Sequence, residues 1–285
     1  MTSNLAVSRQ PVDDSLSRRN FDRLADYIYK YSGIKMPINK ITMLEGRLRK
    51  RLRATQIASF DQYCTYLFDH DGLDSESVYL IDAVTTNKTD FFREPAHFDY
   101  LIGKALPDLL QSEPRHLRLW SSACSTGAEP FTLAMVMREA LEARPDLTFT
   151  VTATDLSTEV LQTARRAIYP RDQMEPVPAA LRRKYVMEPV DPRRGEVRIA
   201  PVLRRHVAFG RMNLMDKKYP VQDGQHVIFC RNVLIYFDKP TQLHVLSRLC
   251  ECLLPGGYLF IGHSETAAGL NLPIRQVANT VFKRV

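Results

Sequence analysis

The chain has 285 residues, 45% hydrophobic and 25% charged, with 39 Lys and Arg against 32 Asp and Glu for a formal charge of +7. This suits a globular protein with a full core. No run of about 18 apolar residues occurs and "MTSNLAVSRQPVDD" lacks a signal peptide's apolar centre, so a cytoplasmic protein without membrane insertion is expected. The five cysteines form no CxxC pair. Buried reduced thiols are therefore expected, with no disulfide framework and no metal.

Residues 1–17 read as a disordered tail. Four helices follow. Phe21, Leu24, Ala25, Ile28 and Tyr31 keep helical spacing, and Leu44, Leu48 and Leu52 form a stripe joined by Ile41. Phe60, Tyr63, Cys64 and Leu67 follow a Ser59…Gln62 capping box, and Val78, Ile81 and Val84 make the fourth. These define a helical domain over 18–85, which "TTNKTDFFREP" extends into a linker, 86–100.

Charge is segregated along this stretch. Lys35 to Arg53 holds seven basic residues and one acid, Glu45, whereas Ala54 to Asn87 holds six acids and no Lys or Arg. Val160 to Pro220 carries fourteen basic residues against six acidic. Two basic surfaces imply an anionic partner, either nucleic acid or an acidic protein.

Beyond residue 100 strands alternate with helices. Strands are expected at Leu117–Trp120, Phe149–Thr154, Val227–Cys230, Tyr258–Ile261 and Val277–Arg284. Helices are expected near 129–143, 158–168 and 240–253, the last opened by Pro240 and closed at Gly256-Gly257. The pattern predicts an α/β domain, 101–285, with a Rossmann-like doubly wound sheet. A Pro- and Gly-punctuated stretch with short runs at Val197–Ile199 and His206–Phe209 predicts an inserted antiparallel β-subdomain at about 184–212.

In such a sheet ligands bind beyond the carboxyl ends of the strands. "WSSACSTGAEPFTLAM", Trp120 to Met135, is the first such loop, and its small residues around Gly127 permit close backbone approach. It contains neither GxxxxGK[ST] nor GxGxxG, against a P-loop or a dinucleotide pyrophosphate. Asp155 ends "TATD" about 28 residues after Gly127, where an acid can accept both ribose hydroxyls. It could equally cap the next helix, but Ser157 is available for that and frees Asp155. "LLPGGYLFIGHSET" adds a Pro-Gly-Gly turn before a strand. In this order, the three pieces resemble S-adenosylmethionine-dependent methyltransferases of the doubly wound class, class I.

The acceptor is read partly from what is missing. Neither the [DNS]PP[YFW] tetrapeptide of amino-methylating DNA enzymes nor the Pro-Cys of cytosine enzymes is present, and no catalytic base stands out. A glutamate carboxylate, with a free pKa of ~4.3, is already an anionic nucleophile and needs only alignment and desolvation. "TTNKTDFFREPAHF", "WSSACSTGAEPFTLAM", "TATDLS", "NLMD" and "IFCRNVLIYFDKPTQ" together resemble the chemotaxis protein-glutamate O-methyltransferase family, CheR, from about residue 20 to the end.

The resemblance implies transfer of a methyl group from S-adenosylmethionine to glutamate side chains of bacterial chemoreceptors, for chemotactic adaptation. Glutamyl methyl esters and S-adenosylhomocysteine would result, without a metal; independently of the resemblance, a monomer is the default expectation. It implies a cofactor pocket of Asn87, Thr89, Arg93, Glu129, Asp155, Asn213-Leu214 and Arg231-Asn232, with Arg93 and Tyr236 at the reaction centre. Other roles stay open: a linker salt bridge for Arg93, aromatic packing for Tyr236, a helix-dipole contact for Glu129, and turns for Asn213 and Asn232. It also implies that the N-terminal domain docks on acidic receptor helices. Arg47, Arg49, Arg51 and Arg53 are the candidate docking residues, with Arg49 and Arg53 pointing away from the leucine stripe. In some family members the β-subdomain binds a receptor C-terminal peptide by strand addition, and here it carries Arg193, Arg194, Arg198, Arg204 and Arg205. Those arginines could equally protect exposed edges. Two other readings remain: a nucleic-acid methyltransferase and a non-catalytic adaptor.

Overall fold

The structure, a computed structural model, describes residues 15–191, 193–222 and 224–285. Most of the expected tail, residues 1–14, lies outside the described residues. Leu16 does not behave as tail: it is buried, and its amide donates to Glu45 Oε1 at 2.7 Å. The chain divides into two compact units, one of residues up to Tyr31 with Lys35–Thr85, the other of Ser32–Ile34 with Thr86–Val285.

The first unit contains α1 (Arg18–Ser32), α2 (Ile41–Thr55), α3 (Phe60–Asp69) and α4 (Leu73–Val84). Phe21, Leu24, Ile28, Leu44, Leu48, Leu52, Phe60, Tyr63, Cys64 and Leu67 are buried, so the apolar spacing does set the helix faces. Each such side chain contributes about 1.5–3 kcal/mol on burial. Ser59 Oγ accepts from the Gln62 amide at 3.3 Å and caps α3. On α4 the buried residues are Glu76, Leu80, Ile81 and Val84, with Val78 only half-buried. Polarity misleads here, because Glu76 is drawn inward by Arg51 and Tyr63.

The second unit begins with residues 86–95, then α5 (Ala96–Tyr100), a π-helical stretch at 101–105, and α6 (Leu106–Leu110). Residues 86–100, read as a linker, are part of this unit: Phe91 is buried, and the Phe92 amide donates to Thr132 Oγ1 at 3.2 Å. Next come β1 (His116–Ser121), α7 (Ala128–Ala140), β2 (Thr148–Asp155), α8 (Thr158–Arg166), β3 (Ile168–Pro170), α9 (Ala179–Tyr185), β4 (Val186–Met187) and β5 (Glu196–Ile199). The chain ends with α10 (Pro201–Arg204), β6 (Val207–Arg211), β7 (Gln225–Cys230), α11 (Lys239–Cys252), β8 (Leu253–Ile261), β9 (Ile274–Ala278) and β10 (Val281–Arg284).

The main sheet has the order β6-β2-β1-β7-β8-β10-β9, parallel from β6 through β8 and antiparallel at β10 and β9. Strand periodicity assigns its faces. Leu119, Val227, Phe229 and Phe260 face one apolar cluster with Phe131 and Met135 of α7. Trp120, Ile228, Cys230 and Ile261 face the other, with Val245 and Leu249 of α11. Both faces are covered, so β7 is buried at all six positions.

Two expectations are corrected. The small sheet, β3-β5-β4, is antiparallel but spans Ile168 to Ile199. The run at His206–Phe209 instead belongs largely to β6, parallel to β2 at the edge of the main sheet. A short β-type run carries no information about which edge it joins. The single strand expected at Val277–Arg284 is a hairpin, turned at Asn279-Thr280 with Thr280 at φ 54°. The five cysteines are buried free thiols. Among the described residues no helix is long and apolar enough to cross a membrane.

Candidate active site

The strand order reverses at β1, whose neighbours are β2 and β7. A crevice forms at such a switch point beyond the carboxyl ends of the strands. The β1–α7 loop reaches it through left-handed backbone at Ser125 (φ 48°) and Gly127 (φ 94°). A Cβ on Gly127 would lie 2.9 Å from Tyr169 Oη and 3.0 Å from Ala164 Cβ, so glycine is required by conformation and by contact.

Ser125 joins three segments. Its amide donates to Asp155 Oδ2 at 2.7 Å, and its hydroxyl donates to the Asn87 carbonyl at 2.7 Å. Ser157 caps α8 by accepting from the Val160 amide at 3.5 Å. Asp155 is nevertheless engaged, since its Oδ1 accepts from the Ser157 amide at 3.0 Å. Its carbonyl also accepts from the Met212 amide, fixing the start of the 213–214 turn. There Asn213 Oδ1 accepts from the Met215 amide at 3.0 Å, a turn-forming role, and Leu214 is buried.

A second, ionic group lies past β7. Arg231, buried, donates to Glu129 Oε2 at 3.2 Å and to Glu94 Oε2 from Nη2 at 3.0 Å and Nε at 3.3 Å. It also donates to the Arg93 carbonyl and lies over the rings of Phe98 and Phe229. Glu129 accepts in addition from Ser121 Oγ at 2.7 Å. Burial pushes the Glu129 carboxyl above its usual range, against the pull of Arg231 and Ser121. Burial acts the same way on Glu94, but Asn232, Arg231 and the His263 amide outweigh it and hold that carboxyl below its usual range.

Arg93 itself is half-buried, and its Nη1 donates to the Lys88 carbonyl at 3.0 Å. Thr89 is half-buried in the same segment. Tyr236 closes a 3-10 turn, Leu234–Tyr236, and packs half-buried against the Trp120 side of the core. The structure thus draws Asn87 to Asp155 through Ser125, and Arg93, Glu129 and Asn232 together through Arg231 and Glu94.

Three participants escaped sequence reasoning. Glu94 is the hub just described. Glu265, also buried, accepts from four backbone amides: Gly262 (2.6 Å), Leu234 (2.7 Å), Asn232 (3.0 Å) and Ile235 (3.4 Å). It thereby holds Asn232, at φ 57°, and the turn carrying Tyr236. Burial raises the Glu265 carboxyl, with those amides opposing. His97 is pushed down to about 4 by burial and by Arg231. The available signal was charge within "REPAHF" and "IGHSET", where apolar flanks imply buried partners.

Glu94, His97 and His263 offer ligand atoms within 4.8 Å of one another, the group among the described residues able to hold a metal ion. Arg231 donates twice to the same Glu94 oxygen. A cation there would share its ligand with a guanidinium and meet like charge.

In the helical unit the four docking candidates divide. Arg49 and Arg53 are exposed, with Arg49 stacked over Phe60. Arg47 donates to the carbonyls of Val84 and Thr85, and Arg51 forms a two-point pair with Glu76. Proposed from sequence as docking residues, Arg47 and Arg51 instead spend their guanidinium groups inside the domain. α4 and its C-terminal flanking residue Thr85 supplied both sets of acceptors, which the stripe on α2 could not reveal.

The sheet order and the loops at its switch point fit a class I methyltransferase fold, and the family matches make the chain an S-adenosylmethionine-dependent methyltransferase. Residues 19–85 match the family described as "CheR methyltransferase, all-alpha domain", and residues 87–282 match "CheR methyltransferase, SAM binding domain". The chain is 37% identical over 266 residues to chemotaxis protein methyltransferase 2 of Pseudomonas aeruginosa, covering 93% of each. It is 38% identical over 270 residues to the Salmonella typhimurium chemotaxis protein methyltransferase, covering 94% of this chain and 91% of the relative. The Escherichia coli protein of that name is 36% identical over 268 residues, at 94% and 91% coverage. The chain belongs to the CheR family of chemotaxis methyltransferases.

Proposed function

We propose that the protein transfers the methyl group of S-adenosylmethionine to glutamate side chains of chemoreceptors in the cytoplasm, forming glutamyl methyl esters. The observation that carries this reading is the row of polar groups beyond β6, β2, β1 and β7, in a chain whose relatives are named chemotaxis protein methyltransferases.

The donor set suits the cofactor. Asp155 can accept from a ribose diol, Glu129 can balance an ammonium, and the small residues of the β1–α7 loop let backbone approach the ligand. In this reading Asn87, Thr89, Asn213-Leu214 and Arg231-Asn232 complete the pocket. S-adenosylmethionine, when bound, supplies a sulfonium methyl group open to in-line attack. The acceptor carboxylate needs no base. Methyl transfer to its oxygen would release the neutral thioether S-adenosylhomocysteine, so the residues of this chain have only to hold and align the two partners. Arg93 orients a carboxylate with its planar fork, and the Tyr236 hydroxyl donates to one acceptor oxygen so that the other faces the methyl.

Docking falls to α2, where Arg49, Lys50 and Arg53 are exposed. Their field would steer acidic receptor helices and weaken with salt. The test is incubation with receptor membranes and isotopically labelled S-adenosylmethionine, followed by mass spectrometry of receptor peptides. Methyl groups on glutamate side chains are expected. Methyl groups confined to lysine or arginine would overturn the acceptor assignment.

A further inference from the structure

We propose that Glu94 is a positioning residue for methyl transfer, registering the segment that carries Arg93 against the loops after β7 and β8. The inference rests on the proposed roles of Arg93, Arg231 and Asn232 in that reaction.

Geometry makes the argument. Phe92 and Glu94, on either side of Arg93, both have left-handed backbone, with φ of 53° and 57°. Such residues are strained and persist where the surroundings over-determine them. The surroundings here are four donors aimed at one carboxylate. Glu94 Oε2 accepts from Arg231 Nη2 (3.0 Å) and Nε (3.3 Å), while Oε1 accepts from Asn232 Nδ2 (3.1 Å) and the His263 amide (3.3 Å). The Glu94 side chain is 12% exposed and that of Arg231 2%. Water therefore competes little for these bonds.

A carboxylate is the group these donors require. A glutamine side chain has one oxygen and one NH2, so it can satisfy only the Arg231 side or only the Asn232–His263 side. Its NH2 would face donors on the other. Arg231 would then keep Glu129 as its remaining ionic partner, and the Arg93 carbonyl would lose its register with Arg231. Displacement of about 1 Å at a reacting group costs on the order of a hundredfold in rate.

The experiment compares wild type, Glu94→Gln and Glu94→Asp as full-length proteins. S-adenosylhomocysteine binding is followed by calorimetry, and receptor methylation by kcat and KM. For Glu94→Gln we expect one ligand bound per chain, showing a folded site, with Kd about tenfold weaker and kcat about a hundredfold lower. KM for the receptor should stay within about threefold, because Glu94 acts on the cofactor side. Glu94→Asp keeps the charge but shortens the reach and should fall between the two; if Glu94→Gln does not fold, it decides alone. Wild-type Kd and kcat in every folded variant would overturn the proposal. So would lower binding stoichiometry with unchanged Kd and kcat per site, the signature of a purely structural role. Calorimetry needs no acceptor, so a wild type that binds S-adenosylhomocysteine but does not methylate receptor would sink the receptor reading and leave the binding comparison standing.

Discussion

Arg51→Ala should destabilise the helical unit far more than its place in a basic run suggests. Glu76 is only 4% exposed. Its oxygens accept from Arg51 Nε at 2.7 Å, Arg51 Nη2 at 3.0 Å and the Tyr63 hydroxyl at 2.9 Å. Removing the guanidinium leaves the largely buried carboxylate with one neutral donor, the Tyr63 hydroxyl. Breaking one side of such a buried pair costs about 3–5 kcal/mol. Loss of the stacking of Arg51 over Tyr79, 4.6 Å from the ring centre, adds about 0.5–1 kcal/mol. In a unit of this size, at about 4–8 °C per kcal/mol, the shift in melting temperature is roughly 15 °C or more. Calorimetry of the full chain, with hydrogen exchange at α2 and α4 amides, reports it. Arg53→Ala, on the exposed side of the same helix, is the control and should stay within about 0.5 kcal/mol. Equal protection and equal melting in the two variants would refute the reasoning and return Arg51 to the docking surface.

Burial pushes His226 down to about 4, and its Nδ1 accepts from the Arg118 amide at 3.1 Å. Between that value and the unfolded pKa of about 6.5 the unfolded chain binds more protons, so this group's contribution is full above 6.5 and lost as pH falls toward 4. His226→Asn retains an acceptor without titrating, so the wild-type advantage in urea unfolding should narrow by about 2 kcal/mol from pH 6.5 to 5, and a pH-independent difference would contradict this. Asp155→Ala should weaken S-adenosylhomocysteine about 10–100-fold by calorimetry, and unchanged affinity would remove Asp155 from the ribose site. Reversing Arg49 and Arg53 to Glu should slow receptor methylation at low salt without changing cofactor affinity, the effect fading toward 1 M salt, where the Debye length is about 3 Å. Equal rates at low salt would make that face merely solvated.

Helix faces and parallel strands were legible because burial imposes a period that sequence records directly. Leu44, Leu48 and Leu52 are buried on one stripe, and Val227 to Cys230 is apolar because both sheet faces are covered. The loop at Gly127 was legible through its small residues. Pairing was not: nothing local in Val207–Arg211 distinguishes an edge strand of the main sheet from one in the small sheet. Buried charge was the other blind spot. Glu76, Glu94 and Glu265 look like surface acids until Arg51, Arg231 and a row of backbone amides converge on them from distant segments. For the same reason the basic run overstated docking, since the partners of Arg47 and Arg51 lie on α4 and on Thr85 just after it.

The most direct test of the central claim is the alkali lability of the transferred methyl group. S-adenosylmethionine labelled in that methyl would be incubated with the protein and receptor membranes and, separately, with nucleic acid, and each product treated with mild alkali. Carboxyl methyl esters hydrolyse to volatile methanol, whereas methyl groups on nitrogen or carbon stay attached. Volatile label from receptor alone is the predicted result. Alkali-stable label on nucleic acid, or no label on receptor, would contradict it.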